Sequence, residues 1–133
     1  MPVLVLIVDV DLERLERSRR LVEREGAVAV TAMDSRDAMG LFVRREPYLT
    51  VIHVDAPAES GFGLCRDMKA LRSGRGRPIV VVAPQESRRA AFASGCDAFI
   101  TPTPDHGSYQ RTVRRLLAVA QRFSPPAEIE LIS

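Results

Sequence analysis

The sequence has no apolar stretch approaching the roughly 18 residues that a membrane-spanning helix needs. It has no low-complexity tract, and its first eight residues, though apolar, carry no basic leader and run straight into Asp9. That beginning reads as a buried strand rather than a signal peptide. Cysteine is scarce: Cys65 and Cys96 are the only two and belong to no metal or redox motif, so both are expected to pack as small apolar side chains in a reducing cytoplasm. Lysine is scarcer still, since Lys69 is the only one among 19 basic residues. The formal net charge of +2 is spread along the chain and leaves no nucleic-acid footprint.

What remains is an ordinary globular composition, 46% hydrophobic and 27% charged, over 133 residues. A chain of this length fits one hydrophobic core. Val3 to Val8 is a continuous aliphatic run, as expected of a strand covered on both faces. Asp11 is placed to cap a following helix, with Leu12, Leu15, Leu21 and Val22 as its apolar stripe and Gly26 as its stop. A short strand spans Ala27 to Thr31. Asp34 or Ser35 caps a second helix through about Arg45, with Ala38, Met39, Leu41 and Phe42 inward and Pro47 ending it.

Leu49 to Val54 returns to strand, and a polar loop, Asp55 to Ser60, leads at Gly61 into a third helix carrying Phe62, Leu64, Cys65, Met68 and Leu71. A turn at 73–77 precedes the strand Pro78 to Ala83, and a short helix covers about Glu86 to Ser94. Ala98 to Ile100 is a brief fifth strand. The final helix runs from Asp105 or Ser108 to Phe123, with Tyr109, Val113, Leu116, Leu117 and Ala120 inward, and Pro125-Pro126 ends it. Five strand-then-helix units predict an α/β fold, a doubly wound five-stranded parallel sheet with helices on both faces. In such a sheet the site forms beyond the carboxyl ends of the strands, at the loops that begin at Asp9, His53, Ala83 and Ile100.

Four places then fall into a pattern: Val8-Asp9-Val10-Asp11, Pro57 to Gly61, Gly95-Cys96-Asp97-Ala98-Phe99 and Thr101-Pro102. In order and spacing they resemble the landmarks of receiver domains of the response-regulator family, over residues 1–123, with 124–133 left as a tail or the start of a linker. The resemblance implies the flavodoxin-like (βα)5 topology and a role in bacterial two-component signalling or phosphorelay. In that family an acidic pair after the first strand helps hold magnesium, an aspartate ending the third strand accepts phosphate, a Ser or Thr ends the fourth strand, and a lysine ends the fifth.

Carried over residue by residue, the pair reads Asp9-Val10, and valine supplies no oxygen to a metal. Asp11 is adjacent, with helix capping as its plainer role. Pro47, Pro57 and Gly61 all place the acceptor position at His53, which has no carboxylate for an acyl phosphate. Asp55 lies two residues on and would point to the same side of a continued strand, so an unusual acceptor at Asp55 or His53 is the alternative reading. Ala83 replaces the hydroxyl residue, and Pro102, after Thr101, stands at the lysine position. With Lys69 inside the third helix and no arginine between Arg89 and Arg111, the pocket is expected to lack a cation for the phosphate.

The resulting expectation is a degenerate receiver: no catalytic residue, magnesium binding weak or absent, and a phosphorylation-independent role in binding a protein partner or a second copy of itself. The resemblance points to the face of the fourth helix, fifth strand and fifth helix, with Arg88, Phe92, Phe99, Tyr109, Arg111, Arg114 and Arg115 as its candidate residues. Phe99 stands where the family has a switching aromatic and is expected to hold one state. Nucleic acid ranks last among partners for want of a recognition motif, and no membrane role is expected. The tail from Ala127 to Ser133 alternates polar and apolar residues and suggests a strand, an added edge or a disordered end.

Overall fold

A computed structural model describes residues 2–55 and 59–123 of the protein. The aliphatic runs form β1 (Leu4–Val8), β2 (Val28–Ala32), β3 (Leu49–His53), β4 (Ile79–Val82) and β5 (Ala98–Ile100). All pair in parallel in the order β2-β1-β3-β4-β5. Between them run α1 (Leu12–Arg24), α2 (Ser35–Arg45), α3 (Glu59–Ala70), α4 (Arg88–Ala93) and α5 (Gly107–Phe123). The strand order reverses at β1, which has β2 on one side and β3 on the other, so the loops after β1 and β3 open side by side at the carboxyl edge.

Side chains alternate across the sheet and separate two cores. Val5 and Ile7 join Leu15, Val22, Val51, Val113 and Leu117 beneath α1 and α5. Leu6 and Val8 face the other way, joining Phe42, Ile52, Met68 and Val81 beneath α2, α3 and α4. Cys65 and Cys96 are free thiols buried in this second core.

The helix signals act as the side-chain chemistry requires. Asp11 and Asp34 cap α1 and α2 by accepting the amide hydrogens of Arg14 and Asp37. Gly26, at φ 88°, takes the left-handed turn after α1. At the end of α2 the left-handed residue is Glu46, φ 47°, directly before Pro47, whose ring disfavours a helical predecessor. Arg77 donates from Nη1 to the carbonyls of Glu46 and Pro47, tying this corner down.

Some expectations change. Leu12 is exposed, because it opens α1 beyond the point where β1 stops, and Ser18 takes an inward place with Leu15 and Val22. α3 begins at Glu59, before Gly61, and the helix expected at 86–94 divides into a 3-10 turn, Gln85–Ser87, and the six-residue α4. A second 3-10 turn, Arg72–Gly74, occupies the start of the expected turn at 73–77. Pro57, Pro125-Pro126 and the tail lie outside the described residues. Lys69 is structural: its Nζ pairs with Asp97 at 2.6 Å and donates to the Arg77 carbonyl at 3.0 Å. Asp97 in turn accepts the Ile79 amide hydrogen at 2.8 Å, which joins the start of β4 to the start of β5.

Candidate functional site

Strand parity places the site. Val5 and Ile7 on β1, like Leu49 and Val51 on β3, face α1 and α5. Asp9 and His53 continue those rows at the strand ends, and Asp55 lies two residues farther on the same side. α1 starts three residues after Asp9, and its early side chains lean back toward its N-terminus. Arg14 is thereby carried over Asp9 and Ser18 over His53.

Asp9 is fully buried at its side chain and is gripped from both oxygens by one guanidinium. Arg14 donates from Nε to Oδ2 and from Nη2 to Oδ1, each at 2.6 Å, in the bidentate fork that suits arginine to a carboxylate. The Asp11 amide adds a hydrogen bond to Oδ1 at 3.0 Å. The outer edge of the same guanidinium meets Asp55, with Nη1 2.9 Å from Oδ1 and Nη2 donating to Oδ2 at 3.1 Å. Arg14 therefore bridges a buried and an exposed carboxylate, and its hydrogen bonds to Asp9 and then Asp55 raise its pKa above the ordinary arginine value. Asp11 is the helix cap, its carboxyl held below the usual range chiefly by the Arg14 amide.

His53 ends β3 under cover. Its Nε2 lies 3.1 Å from the Ser18 hydroxyl, its Nδ1 lies 3.6 Å from Asp9 Oδ2, and its ring stacks on Tyr109 of α5 at 5.9 Å and 25°. Burial pushes its pKa down to about 4 against the opposing pull of Asp9, so the ring is neutral at pH 7. Tyr109 is itself buried, and burial pushes its pKa up to about 12 against a smaller opposing hydrogen bond from Ser18. Beside these two rings lies a cavity of about 120 Å³ between α1 and the end of β5.

The residues singled out from sequence thus divide. Asp9, His53 and Asp55 come together, with Asp11 at their edge as a cap. Thr101 and Pro102 border the cavity, Thr101 donating to Gln85 at 3.0 Å. Val10 points to solvent at 68% exposure, and Ala83 is buried in the opposite core. Two members of the expected interaction face belong elsewhere. Tyr109 is an inner-face residue of α5, covered by His53. Arg114 turns to α1, where its fork holds Glu25 with two hydrogen bonds of 2.9 Å. Arg88, Phe92 and Phe99 do cluster: the Arg88 guanidinium lies 5.1 Å from the Phe92 ring and 5.8 Å from the Phe99 ring. Arg111 and Arg115 line a shallow groove with Phe99.

The expectation of a site without a cation is corrected by Arg14. The family keeps its lysine at the end of the fifth strand, whereas this positive charge comes from α1. The signal was present in the sequence: an arginine three residues past the Asp11 cap sits in the first helical turn, directly above the strand that ends at Asp9.

No protein-family model matches the chain. It is 32% identical over 104 residues to an uncharacterized 14.6 kDa protein of Leptolyngbya boryana, covering 76% of this chain and 79% of that one. It is 29% identical over 128 residues to the response regulator MprA of Mycolicibacterium vanbaalenii, covering 94% of this chain but only 53% of the relative, so it spans about half the length of that regulator. Among solved structures, the chemotaxis response regulator CheY4 of Vibrio cholerae superposes with a TM-score of 0.78 at 18% identity, over 87% of this chain and 99% of that one. The signal receiver domain of a signal transduction histidine kinase from Syntrophus aciditrophicus gives 0.79 at 23% identity, over 92% and 96%. These structures share the parallel five-stranded fold of receiver domains, and together with the response-regulator relatives they support a place for the chain in the receiver-domain family.

Proposed function

We propose that this receiver domain works without accepting a phosphoryl group and serves as a non-enzymatic, protein-binding module of a bacterial, cytoplasmic signalling protein. The observation that carries the reading is the fork of Arg14 on Asp9. Magnesium asks for near-octahedral oxygen ligation, which receivers assemble around this acid. Here both Asp9 oxygens are committed to a guanidinium, Val10 offers none, and the acceptor position presents an imidazole. The residues do not fit the ion, and Arg14 supplies internally the positive charge that a metal would bring. Phosphoryl transfer relies on positioning and on cations that neutralise developing charge. A neutral His53 stacked under Tyr109 offers no carboxylate to receive the group.

Binding is assigned to the face of α4, β5 and α5. Phe92 is exposed there, at 43%, with Arg88 over its ring, and Arg111 and Arg115 of α5 line a groove with Phe99. Aromatic and arginine side chains are enriched at the centres of protein interfaces. The occupant is a protein partner or a second copy of the chain.

Incubation with a small phosphodonor and magnesium, followed by intact-mass measurement, tests the reading. The protein is expected to keep its unmodified mass, and a phosphoryl adduct would overturn the proposal. The second reading, an acyl phosphate on Asp55, draws on the exposure of that carboxylate and its contact with Arg14. It predicts an adduct that disappears in Asp55→Asn.

A further inference from the structure

β5 is the last strand of the sheet and, among the described residues, pairs with β4 alone. Ile100 accepts the Ala83 amide hydrogen at 3.0 Å, so its backbone groups face β4, and the alternation along a strand turns those of Phe99 outward. An open edge is a template for another extended chain, and proteins commonly blunt it with lysine, proline or a covering element. None of the three residues Ala98–Ile100 is charged or proline, and at that length the edge takes only a short segment. A shallow groove of about 400 Å³ lies between residues 99–101 and α5.

Charge selects what the groove takes. Its only charged lining residues are Arg111 and Arg115, one turn apart on α5, where like charges repel. Neither has a carboxylate within ion-pairing distance among the described residues. Asp105, the nearest acid in sequence, gives its Oδ1 to the Gly107 amide and the Thr103 hydroxyl. Those two bonds hold its carboxyl below the usual range, with Arg111 contributing less, so Asp105 offsets that arginine only in part. On the other flank of the edge, Phe99 packs toward α4, where Arg88 lies over its ring and that of Phe92. Across residues 84–120, Arg88, Arg89, Arg111 and Arg115 stand outside ion pairs against Glu86 and Asp105, since Lys69 holds Asp97 and Glu25 holds Arg114. Positive charge is therefore in surplus on both sides of the open strand edge.

We infer that the partner binds this face through a short, extended acidic segment added as a strand along β5, with alternate carboxylates at Arg111 and Arg115 and the intervening side chains on Phe92. The inference rests on the protein-binding reading and deepens it, naming the partner's chemistry in place of a second copy of the chain.

The test is an NMR titration of the whole chain, without magnesium or phosphodonor, with the end-blocked peptide Glu-Val-Glu-Val-Glu as probe. The amides of Phe99, Thr101, Arg111 and Arg115 are expected to shift saturably. The same peptide with glutamine for glutamate should bind about five- to tenfold more weakly, since each of two exposed ion pairs adds modest affinity. Arg111→Gln/Arg115→Gln protein, its folding checked by retained amide dispersion, should weaken the acidic peptide to the same degree. Methylating one alternate set of peptide nitrogens, those of valine or those of glutamate, should abolish binding, because a strand gives one set to its neighbour. The inference is overturned if no amide of the β5 edge shifts, if the glutamine peptide matches the acidic one, or if neither methylated set loses binding. Tighter binding of a short oligothymidylate at the same amides, or a dimer of the free chain that already covers them, would also overturn it. A phosphoryl adduct in the mass measurement would sink the phosphorylation-independent reading and leave this titration standing, whereas equal binding of the two peptides would do the reverse.

Discussion

Replacing Arg14 with methionine keeps most of the aliphatic volume and removes the guanidinium that holds Asp9. The Asp9 carboxylate, 0% exposed, would retain a single amide donor, from Asp11. Removing one partner of a buried pair costs about 3–5 kcal/mol. Arg14 is itself 30% exposed, so water can reach part of the vacated space, and a loss of about 2–3 kcal/mol is expected here. Against a typical domain stability of about 5–15 kcal/mol this is a large fraction. With a urea dependence of roughly 1–3 kcal/mol per molar, the unfolding midpoint should fall by about 1–2 M. Asp9→Asn in the same chain should recover at least about 1 kcal/mol of coupling, because the charge left stranded by Arg14→Met is then absent. Asp55→Asn alone should cost less than about 1 kcal/mol, as that end of the bridge is exposed. The reasoning fails if Arg14→Met moves the midpoint no more than Asp55→Asn does, or costs the same with and without Asp9→Asn.

Three further outcomes follow from the same structure. The His53 pKa lies at about 4 in the fold against roughly 6.5 when unfolded, so its neutral burial contributes full stability above pH 6.5 and loses it as pH falls toward 4. Urea unfolding of wild type and His53→Phe across that window should show up to about 3 kcal/mol of extra acid sensitivity in wild type, and parallel curves would contradict the assignment. Phe92→Asp should weaken self-association or partner capture in sedimentation velocity while changing stability by no more than about 0.5 kcal/mol, since the ring is exposed. Cys65 and Cys96 are buried, and desolvation pushes the Cys96 thiol up to about 12. Both should resist a thiol reagent in the native state and react on addition of denaturant; rapid native labelling would contradict their burial.

The fold was legible because its signals are local and repeated. Each aliphatic run followed by an aspartate cap, as at Asp11 and Asp34, states where a strand gives way to a helix, and Gly26, Pro47 and Gly95 state where helices stop. Parity along β1 and β3 also made it readable that Asp9, His53 and Asp55 share a side. Orientation around a helix end was harder. Leu12 carries the right residue type for the core but sits beyond the sheet, and Arg114 shares α5 with Arg111 while facing α1 instead. Arg14 was missed for a related reason: its partners stand five residues before it and 41 after it, and only the closure of α1 over β3 joins them. The cavity beside His53 has no sequence signature at all, because it is the space left where three elements meet.

The central claim is that Arg14 holds Asp9 in the way a metal would otherwise be held. A titration of the whole chain with manganese, read by paramagnetic broadening of the amides of Asp9, Asp11, Arg14 and His53, tests it directly. The account predicts only weak, unsaturable broadening there, no stronger than at exposed carboxylates such as Glu86. Saturable broadening centred on Asp9 and His53 and reversed by excess magnesium would contradict it.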